Sequence, residues 1–175
     1  MTKPPRTAIV ITVSDSAFRG ERKDLSGPAV ADALAERDFD VIGSAIVPDE
    51  PEEIRKAVLS ATSKATLVVT TGGTGIAARD VTPEVTRELC ERLIEGIPER
   101  MRAEGSKQTP LAVLSRALCG VRGKCVLLNL PGSPSGATES LAAVIHLLPH
   151  VVDLLHGETG HPSESTRVTS PKPGD

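Results

Sequence analysis

Aromatic side chains are nearly absent from this chain of 175 residues, which contains two phenylalanines and no tryptophan or tyrosine. Because 39% of the residues are nevertheless hydrophobic, the core must be built from Val, Leu, Ile and Ala. This composition suits a parallel sheet, whose strands are buried on both faces and read as aliphatic runs. The chain also lacks the aromatic platforms on which single-stranded nucleic acid stacks, so we expect no nucleic-acid partner.

A strong net charge is missing as well, since the formal charge is -3. Any anion site must therefore be local rather than part of a global field. Cys90, Cys119 and Cys125 form no Cys-x-x-Cys motif, which favours reduced, buried thiols in a cytoplasmic protein over a disulfide framework. The first residues lack an apolar signal core, and no apolar run approaches the length of a membrane span, so we expect neither export nor a membrane partner.

The length of the chain suits one domain, which we assign to residues 1–160. Residues 161–175 are rich in Pro, Ser and Thr and are expected to form a mobile tail. Short apolar runs at residues 7–13, 41–47 and 66–71 predict buried strands, and helical patterns at 26–39 and 52–61 separate them. This βαβαβ order predicts an α/β fold of three layers, with a mostly parallel sheet and helices on both faces.

The second half of the chain continues the same pattern. Thr82 as N-cap and Pro83 at the first helical position predict a helix to about residue 93, and a shorter helix is expected from Pro98. Residues 111–123 are interpreted as a short extended pair, followed by a buried strand at 124–130. The last long helix is predicted to run from Ser135 or Thr138 to about residue 155.

Polar or glycine-rich segments follow each predicted parallel strand. The first strand leads to Ser14 and Asp15, the second to Asp49, the third to a glycine loop at residues 71–75, and the last to residues 129–133. In an open α/β sheet, ligands bind in the crevice at the carboxyl ends of the strands. The sequence therefore predicts a site assembled from segments that lie far apart along the chain.

The glycine loop is the most informative of these segments. Glycines allow the backbone to approach a phosphate closely, so that several N–H groups can converge on one anion. The loop is neither a Walker A motif nor Gly-x-Gly-x-x-Gly, and on its own an ordinary strand-to-helix turn remains equally open. Ser26 and Gly27 at a helix start have the same two readings, anion binding or capping.

Asp49 and Asp80 are the best candidates for a metal site, because each is expected just beyond a parallel strand, where Mg²⁺ could bind carboxylates and substrate phosphates together. A turn residue is the alternative for Asp49, and a salt bridge to Arg79 is the alternative for Asp80. Arg116 is a candidate phosphate ligand, since its guanidinium fork matches phosphate oxygens.

Together these segments resemble the molybdopterin adenylyltransferase family, which includes the bacterial Mog proteins and the G domains of plant Cnx and animal gephyrin. The resemblance covers about residues 7–157 in six ordered blocks. The blocks are residues 12–15 with 24–27, 47–50, 71–75 with 79–84, 96–99, 114–117 and 130–134.

The resemblance implies a molybdenum-cofactor-biosynthesis fold and transfer of AMP from ATP to molybdopterin, with Mg²⁺ as cofactor and pyrophosphate as product. It also implies a homotrimer and hand-over of the product to a molybdenum-inserting protein. Asp49 and Asp80 would be the catalytic and metal-binding residues. Taken with the strand-end pattern, it predicts a substrate- and phosphate-binding set of Ser14, Asp15, Ser26, Gly27, Thr71, Gly72, Gly73, Thr74, Gly75, Thr82, Glu84, Ser115, Arg116, Asn129, Pro131, Gly132 and Ser133.

One alternative stays open. The related MoaB-type proteins share these blocks and are sometimes inactive, so a non-catalytic molybdopterin-binding protein is the competing hypothesis. The presence of both Asp49 and Asp80 favours the enzyme.

Overall fold

A six-stranded sheet organises the protein in a computed structural model that describes residues 5–157. The strands are β1 (Thr7–Val13), β2 (Asp40–Val47), β3 (Leu67–Thr71), β4 (Arg92–Leu93), β5 (Cys119–Arg122) and β6 (Cys125–Leu130). The helices are α1 (Asp15–Phe18), α2 (Ser26–Ala35), α3 (Pro51–Thr62), α4 (Thr82–Leu89), α5 (Gly96–Gly105), α6 (Pro134–Val144) and α7 (Leu148–Leu155), and a 3₁₀ helix spans Pro110–Leu114.

The strand order is β2-β1-β3-β6-β5-β4. Strands β1, β2, β3 and β6 are parallel to their neighbours among themselves, whereas β5 pairs antiparallel with both β6 and β4. The chain moves from β1 to β2 on one side and then returns to β3 on the other side of β1. The strand order therefore reverses between β1 and β3, and such a switch point opens a crevice at the carboxyl ends of the strands.

Helices cover both faces of the sheet, which confirms the predicted three-layer α/β class. On β3, Leu67 and Val69 face the cluster formed with α2, α5, α6 and α7, while Val68 faces the cluster formed with α3 and α4. All three side chains are fully buried. The aliphatic core expected from the composition is thus divided between two clusters that meet at the sheet.

The strands predicted at residues 7–13, 41–47, 66–71 and 124–130 are confirmed to within one residue. Helix α2 ends at Ala35 rather than at residue 39, because Asp38 takes a left-handed backbone with φ 64°. Helix α4 ends at Leu89 rather than near residue 93, because the chain becomes extended at Cys90 and enters β4. The predicted N-cap roles are wrong for Ser26 and Thr82, since both lie inside the first turn of their helices.

Two predictions for the second half are also wrong. Residues 111–114 belong to the 3₁₀ helix instead of an extended segment, so the hairpin contains only β5 and β6, joined at Gly123. The last helix is broken into α6 and α7, which meet at a bend of 61°. Pro149 explains the break, because it lacks the N–H that would bond to the carbonyl of Ile145 and its ring would clash with that carbonyl.

No single helix between residues 5 and 157 is long and apolar enough to cross a membrane, and only α6 and α7 taken together across their bend reach that length and composition. The mobile tail predicted at residues 161–175 lies outside the described residues.

Candidate active site

A polar cavity of about 350 Å³ lies at the carboxyl ends of the four parallel strands. Its walls come from the segments after β1, β2, β3 and β6 and from the loop that precedes α2, as the parallel topology requires. Of the residues predicted from the sequence, it brings together Ser14, Ser26, Asp49, Thr71, Gly72, Gly73, Asp80, Gly132 and Ser133.

The glycine loop has a backbone that only glycine adopts readily. Gly72 and Gly73 have φ values of 102° and 63°, in the region that is strained for other residues. A Cβ at Gly72 would also collide with the carbonyl oxygen of Val13. Thr82 fixes the loop from α4, because its hydroxyl donates to the Gly72 carbonyl at 3.0 Å and its N–H donates to the Gly73 carbonyl at 3.1 Å. The loop is thus a rigid, strained turn and not a simple connection.

Backbone donors converge on the polar cavity. Among residues 5–157, the N–H groups of Gly73, Thr74 and Gly75 donate to no protein acceptor. The first turns of α2 and α6 also reach this cavity, through Ser26 and through Ser133 with Pro134. Unpaired N–H groups and helix N-termini both favour negative charge, so the cavity is built to bind an anion.

Asp15 and Asp49 hold each other through a reciprocal pair of hydrogen bonds. The Asp15 N–H donates to Oδ2 of Asp49 at 2.9 Å, and the Asp49 N–H donates to Oδ1 of Asp15 at 3.0 Å. This pair joins the ends of β1 and β2. Arg79 then donates to Oδ2 of Asp15 at 2.8 Å, so the Asp15 carboxylate is occupied by protein contacts and supports Asp49.

The two carboxylates have opposite pKa shifts. The hydrogen bond from the Asp49 N–H, together with Arg79, lowers the pKa of Asp15. Burial raises the pKa of Asp49, and the charges of Asp15 and Asp80 raise it further. A charged Asp49 is therefore held at a cost, which a cation in the cavity would reduce.

Asp80 lies on the loop between β3 and α4, and its Oδ2 accepts the Ala77 N–H at 2.8 Å. The alternative salt bridge between Asp80 and Arg79 is not formed, because the Arg79 guanidinium is paired with Asp15 and with Glu50. Asp80 thus keeps its carboxylate at the polar cavity beside Asp49.

A second, apolar cavity of about 400 Å³ lies beside the first. It contains Thr74, Gly75, Ser115 and Pro131 from the predicted set and shares Gly132 and Ser133 with the polar cavity. Its other walls come from α5, α6 and the 3₁₀ helix, with Met101, Leu111 and Leu114 among them. A flat apolar group in this cavity would lie next to an anion in the polar one.

Six predicted residues line neither cavity: Asp15, Gly27, Thr82, Glu84, Arg116 and Asn129. Gly27 donates its N–H to Oδ1 of Asp24 at 3.0 Å, so Asp24 supplies the cap that was expected of Ser26. Glu84 and Arg116 form an ion pair with each other.

Asn129 is fully buried in the sheet. Its amide nitrogen donates to the hydroxyls of Thr70 and Thr86 at 2.9 and 2.8 Å, and its oxygen accepts the Leu118 N–H at 3.1 Å. With both ends of the amide bonded to protein, the structure places Asn129 outside the cavity walls.

Two cations were missed by the sequence reasoning. Arg22 and Lys23 line the polar cavity from the loop before α2. Their signal was available, since adjacent basic residues just ahead of a helix start lie on the side of the helix that binds anions.

A parallel sheet with a strained glycine loop and two acidic side chains at its switch point defines an α/β ligand-binding domain for an anionic small molecule. The chain belongs to the molybdenum-cofactor family whose common segment is described as "Probable molybdopterin binding domain", and residues 9–150 match the model of that family. The family expected from the motifs is confirmed.

Known relatives agree over most of the chain. A molybdopterin adenylyltransferase of Helicobacter pylori strain J99 is 41% identical over 152 residues, which cover 85% of this chain and 86% of that protein. The molybdopterin adenylyltransferase of Escherichia coli K12 is 34% identical over 140 residues, covering 77% of this chain and 71% of that protein. The solved structure of the molybdopterin biosynthesis enzyme MoaB from Thermus thermophilus is similar with a TM-score of 0.82 and 48% identity, covering 86% of this chain and 96% of that one.

Proposed function

We propose that this protein is a molybdopterin adenylyltransferase, which transfers AMP from ATP to the terminal phosphate of molybdopterin and releases pyrophosphate. The observation that carries the proposal is the polar cavity, where the glycine-loop N–H groups lie beside Asp49 and Asp80 and next to an apolar cavity. The 41% identity to the Helicobacter pylori molybdopterin adenylyltransferase supports the choice of substrate.

The reaction asks little covalent chemistry of the protein. An oxygen of the molybdopterin phosphate forms a bond to the α-phosphorus of ATP, and the bond from that phosphorus to the pyrophosphate oxygen breaks. The protein must align two anions and stabilise the charge that develops between them. The N–H groups of Gly73, Thr74 and Gly75, the α6 N-terminus at Ser133 and the cation of Lys23 are placed for that task.

Asp49 and Asp80 are the residues that would hold Mg²⁺. They fit a hard cation, because both carboxylates line one cavity and the charge of Asp80 raises the pKa of Asp49. Residues 5–157 contain no group of three or more His, Cys, Asp or Glu side chains that could hold a metal, so substrate oxygens would complete the coordination, as is usual for Mg²⁺. When bound, Mg²⁺ would neutralise charge on the phosphate oxygens.

The apolar cavity is the proposed position of a flat ring, with Ser115 and residues 131–133 around it. We also propose a cytoplasmic homotrimer built from a domain at residues 1–160, with hand-over of the product to a molybdenum-inserting protein. Light scattering of the purified protein tests the trimer.

The test of the activity is direct turnover. The protein is incubated with ATP, Mg²⁺ and molybdopterin, and pyrophosphate and adenylylated molybdopterin are measured. Asp80→Asn is expected to lose turnover while keeping the fold, because the amide has the same shape and no charge. Asp32→Asn is the matched control, since Asp32 is exposed on α2 and lines neither cavity.

Two results would contradict the proposal. Tight binding of molybdopterin without any product would replace it with a non-catalytic, MoaB-like binding protein. A normal rate in Asp80→Asn would remove Asp80 from the reaction.

A further inference from the structure

Arg116 makes four contacts to one short stretch of chain. Its Nε donates to the Gly75 carbonyl at 2.7 Å and its Nη2 donates to the Asp80 carbonyl at 2.5 Å. Its Nη1 is paired with Glu84, and its backbone N–H donates to the Thr74 carbonyl at 2.9 Å. One planar side chain therefore connects the glycine loop, the loop after it and the start of α4.

The loop between Gly75 and Asp80 has little else to fix it. It forms neither helix nor strand, and the side chain of Ile76 is 72% exposed at its tip. Arg116 bonds to the carbonyls at both ends of this loop, while Arg79 anchors it on the far side through Asp15. Because Glu84 pairs with the guanidinium, the fork is held in the orientation that both carbonyls require.

The Asp80 carboxylate depends on that loop for its position. Its Oδ2 accepts the Ala77 N–H from inside the loop, and a Cβ at Gly75 would lie only 2.8 Å from the same oxygen. A shift of either end of the loop would therefore move the carboxylate at the polar cavity.

Direct contact between Arg116 and a substrate phosphate does not agree with this geometry. All three of its guanidinium nitrogens have protein acceptors, and Arg116 lines neither the polar nor the apolar cavity. We propose that Arg116 is a positioning residue that fixes the Asp80 carboxylate at the polar cavity. The kinetic part of this proposal rests on the proposed adenylyl transfer, whereas the position of Asp80 does not.

Crystal structures of the wild type and of Arg116→Gln test the position without any assay of activity. In the variant, the Asp80 carboxylate should leave the Ala77 N–H while Gly72 and Gly73 keep their backbone. An Asp80 carboxylate that stays in place overturns the proposal.

Kinetics test the consequence. Arg116→Gln is expected to lower kcat by roughly 10- to 100-fold, the size of loss that a displacement of about 1 Å causes, with little change in KM for ATP. In an Asp80→Asn background, the same substitution should cause no further loss, because it acts through Asp80. Equal losses in both backgrounds, or a change in KM alone, would overturn the proposal and point to a direct contact with substrate.

Two more variants complete the test. Arg55→Gln is the matched control, because Arg55 also pairs with glutamates but lies on α3 away from both cavities. If Arg116→Gln does not fold, Arg116→Lys replaces it, since an ammonium lacks the planar fork that joins two carbonyls. Wild-type kcat with Asp80 in place in that variant would also overturn the proposal. A wild type that forms no product would refute the adenylyl transfer, and the crystal structures would still decide the role of Arg116.

Discussion

Gly72→Ala should destabilise the protein strongly, and the structure separates two reasons for the loss. The φ of 102° at Gly72 is unfavourable for alanine, and the new Cβ would collide with the carbonyl oxygen of Val13. Gly20→Ala isolates the first reason. Gly20 has a φ of 72°, but a Cβ there would have nothing within 4 Å.

The magnitudes follow from these two terms. A left-handed backbone costs a residue with a Cβ about 1–2 kcal/mol, which is the loss expected for Gly20→Ala. Overpacking at a buried position adds about 1–3 kcal/mol, so Gly72→Ala should lose about 2–5 kcal/mol of unfolding free energy. For a chain of this size, such a loss lowers the Tm by roughly 4–20 °C.

Urea unfolding followed by circular dichroism measures both variants, since the chain has no tryptophan for fluorescence. The m-value should stay constant, which would show that the unfolding free energy changed and not the denatured state. Equal losses in Gly72→Ala and Gly20→Ala would refute the reasoning, because the contact between the glycine loop and the end of β1 would then contribute nothing.

Other substitutions test further parts of the site. Burial raises the pKa of Asp49, so its contribution to stability is present below its unfolded pKa and lost as the pH rises through its folded pKa; Asp49→Asn should gain stability relative to the wild type over that rise, in urea unfolding at several pH values. The Asp49 N–H lowers the pKa of Asp15, whose contribution is present above its unfolded pKa, so Asp15→Asn should lose stability over the same rise. Asn129→Leu leaves three buried bonding partners unsatisfied and should lose about 2–5 kcal/mol of unfolding free energy, and a loss below 1 kcal/mol (roughly one ordinary hydrogen bond) would contradict this. Gly75→Ala should lower kcat without lowering the Tm, since its Cβ displaces the Asp80 carboxylate at 2.8 Å while its backbone is not left-handed; an unchanged kcat would contradict it.

The strands could be predicted closely because burial on both faces leaves a simple signal. The run at residues 67–71 is buried at every position, and such runs are bounded by polar residues or turns. The 3₁₀ helix at Pro110–Leu114 could not be predicted in the same way. Leu111 is apolar but 68% exposed, so its hydrophobicity reports on the wall of the apolar cavity and not on a buried strand. The helix break at Pro149 was readable in principle.

The site could be predicted at the level of segments but not of side chains. Parallel strands bring their carboxyl ends to one edge, and that rule alone placed Asp49, Gly73 and Gly132 together. The direction of a side chain depends on packing that the pattern does not contain. Every residue of β6 is buried, so nothing in the sequence distinguished Asn129, which bonds within the sheet, from a residue that reaches the cavity.

The closeness of the two cavities is itself a consequence of glycine. A Cβ at Gly132 would lie 3.2 Å from Cα of Gly72, so the loops after β3 and β6 touch because neither carries a side chain there. Gly132 and Ser133 consequently form a thin wall that belongs to both cavities. If each cavity holds one of two phosphorylated substrates, their phosphates meet at this wall, beside the unpaired N–H groups of the glycine loop. A larger residue at either glycine would push the two phosphates apart, and we expect it to reduce kcat more than it weakens the binding of either substrate alone.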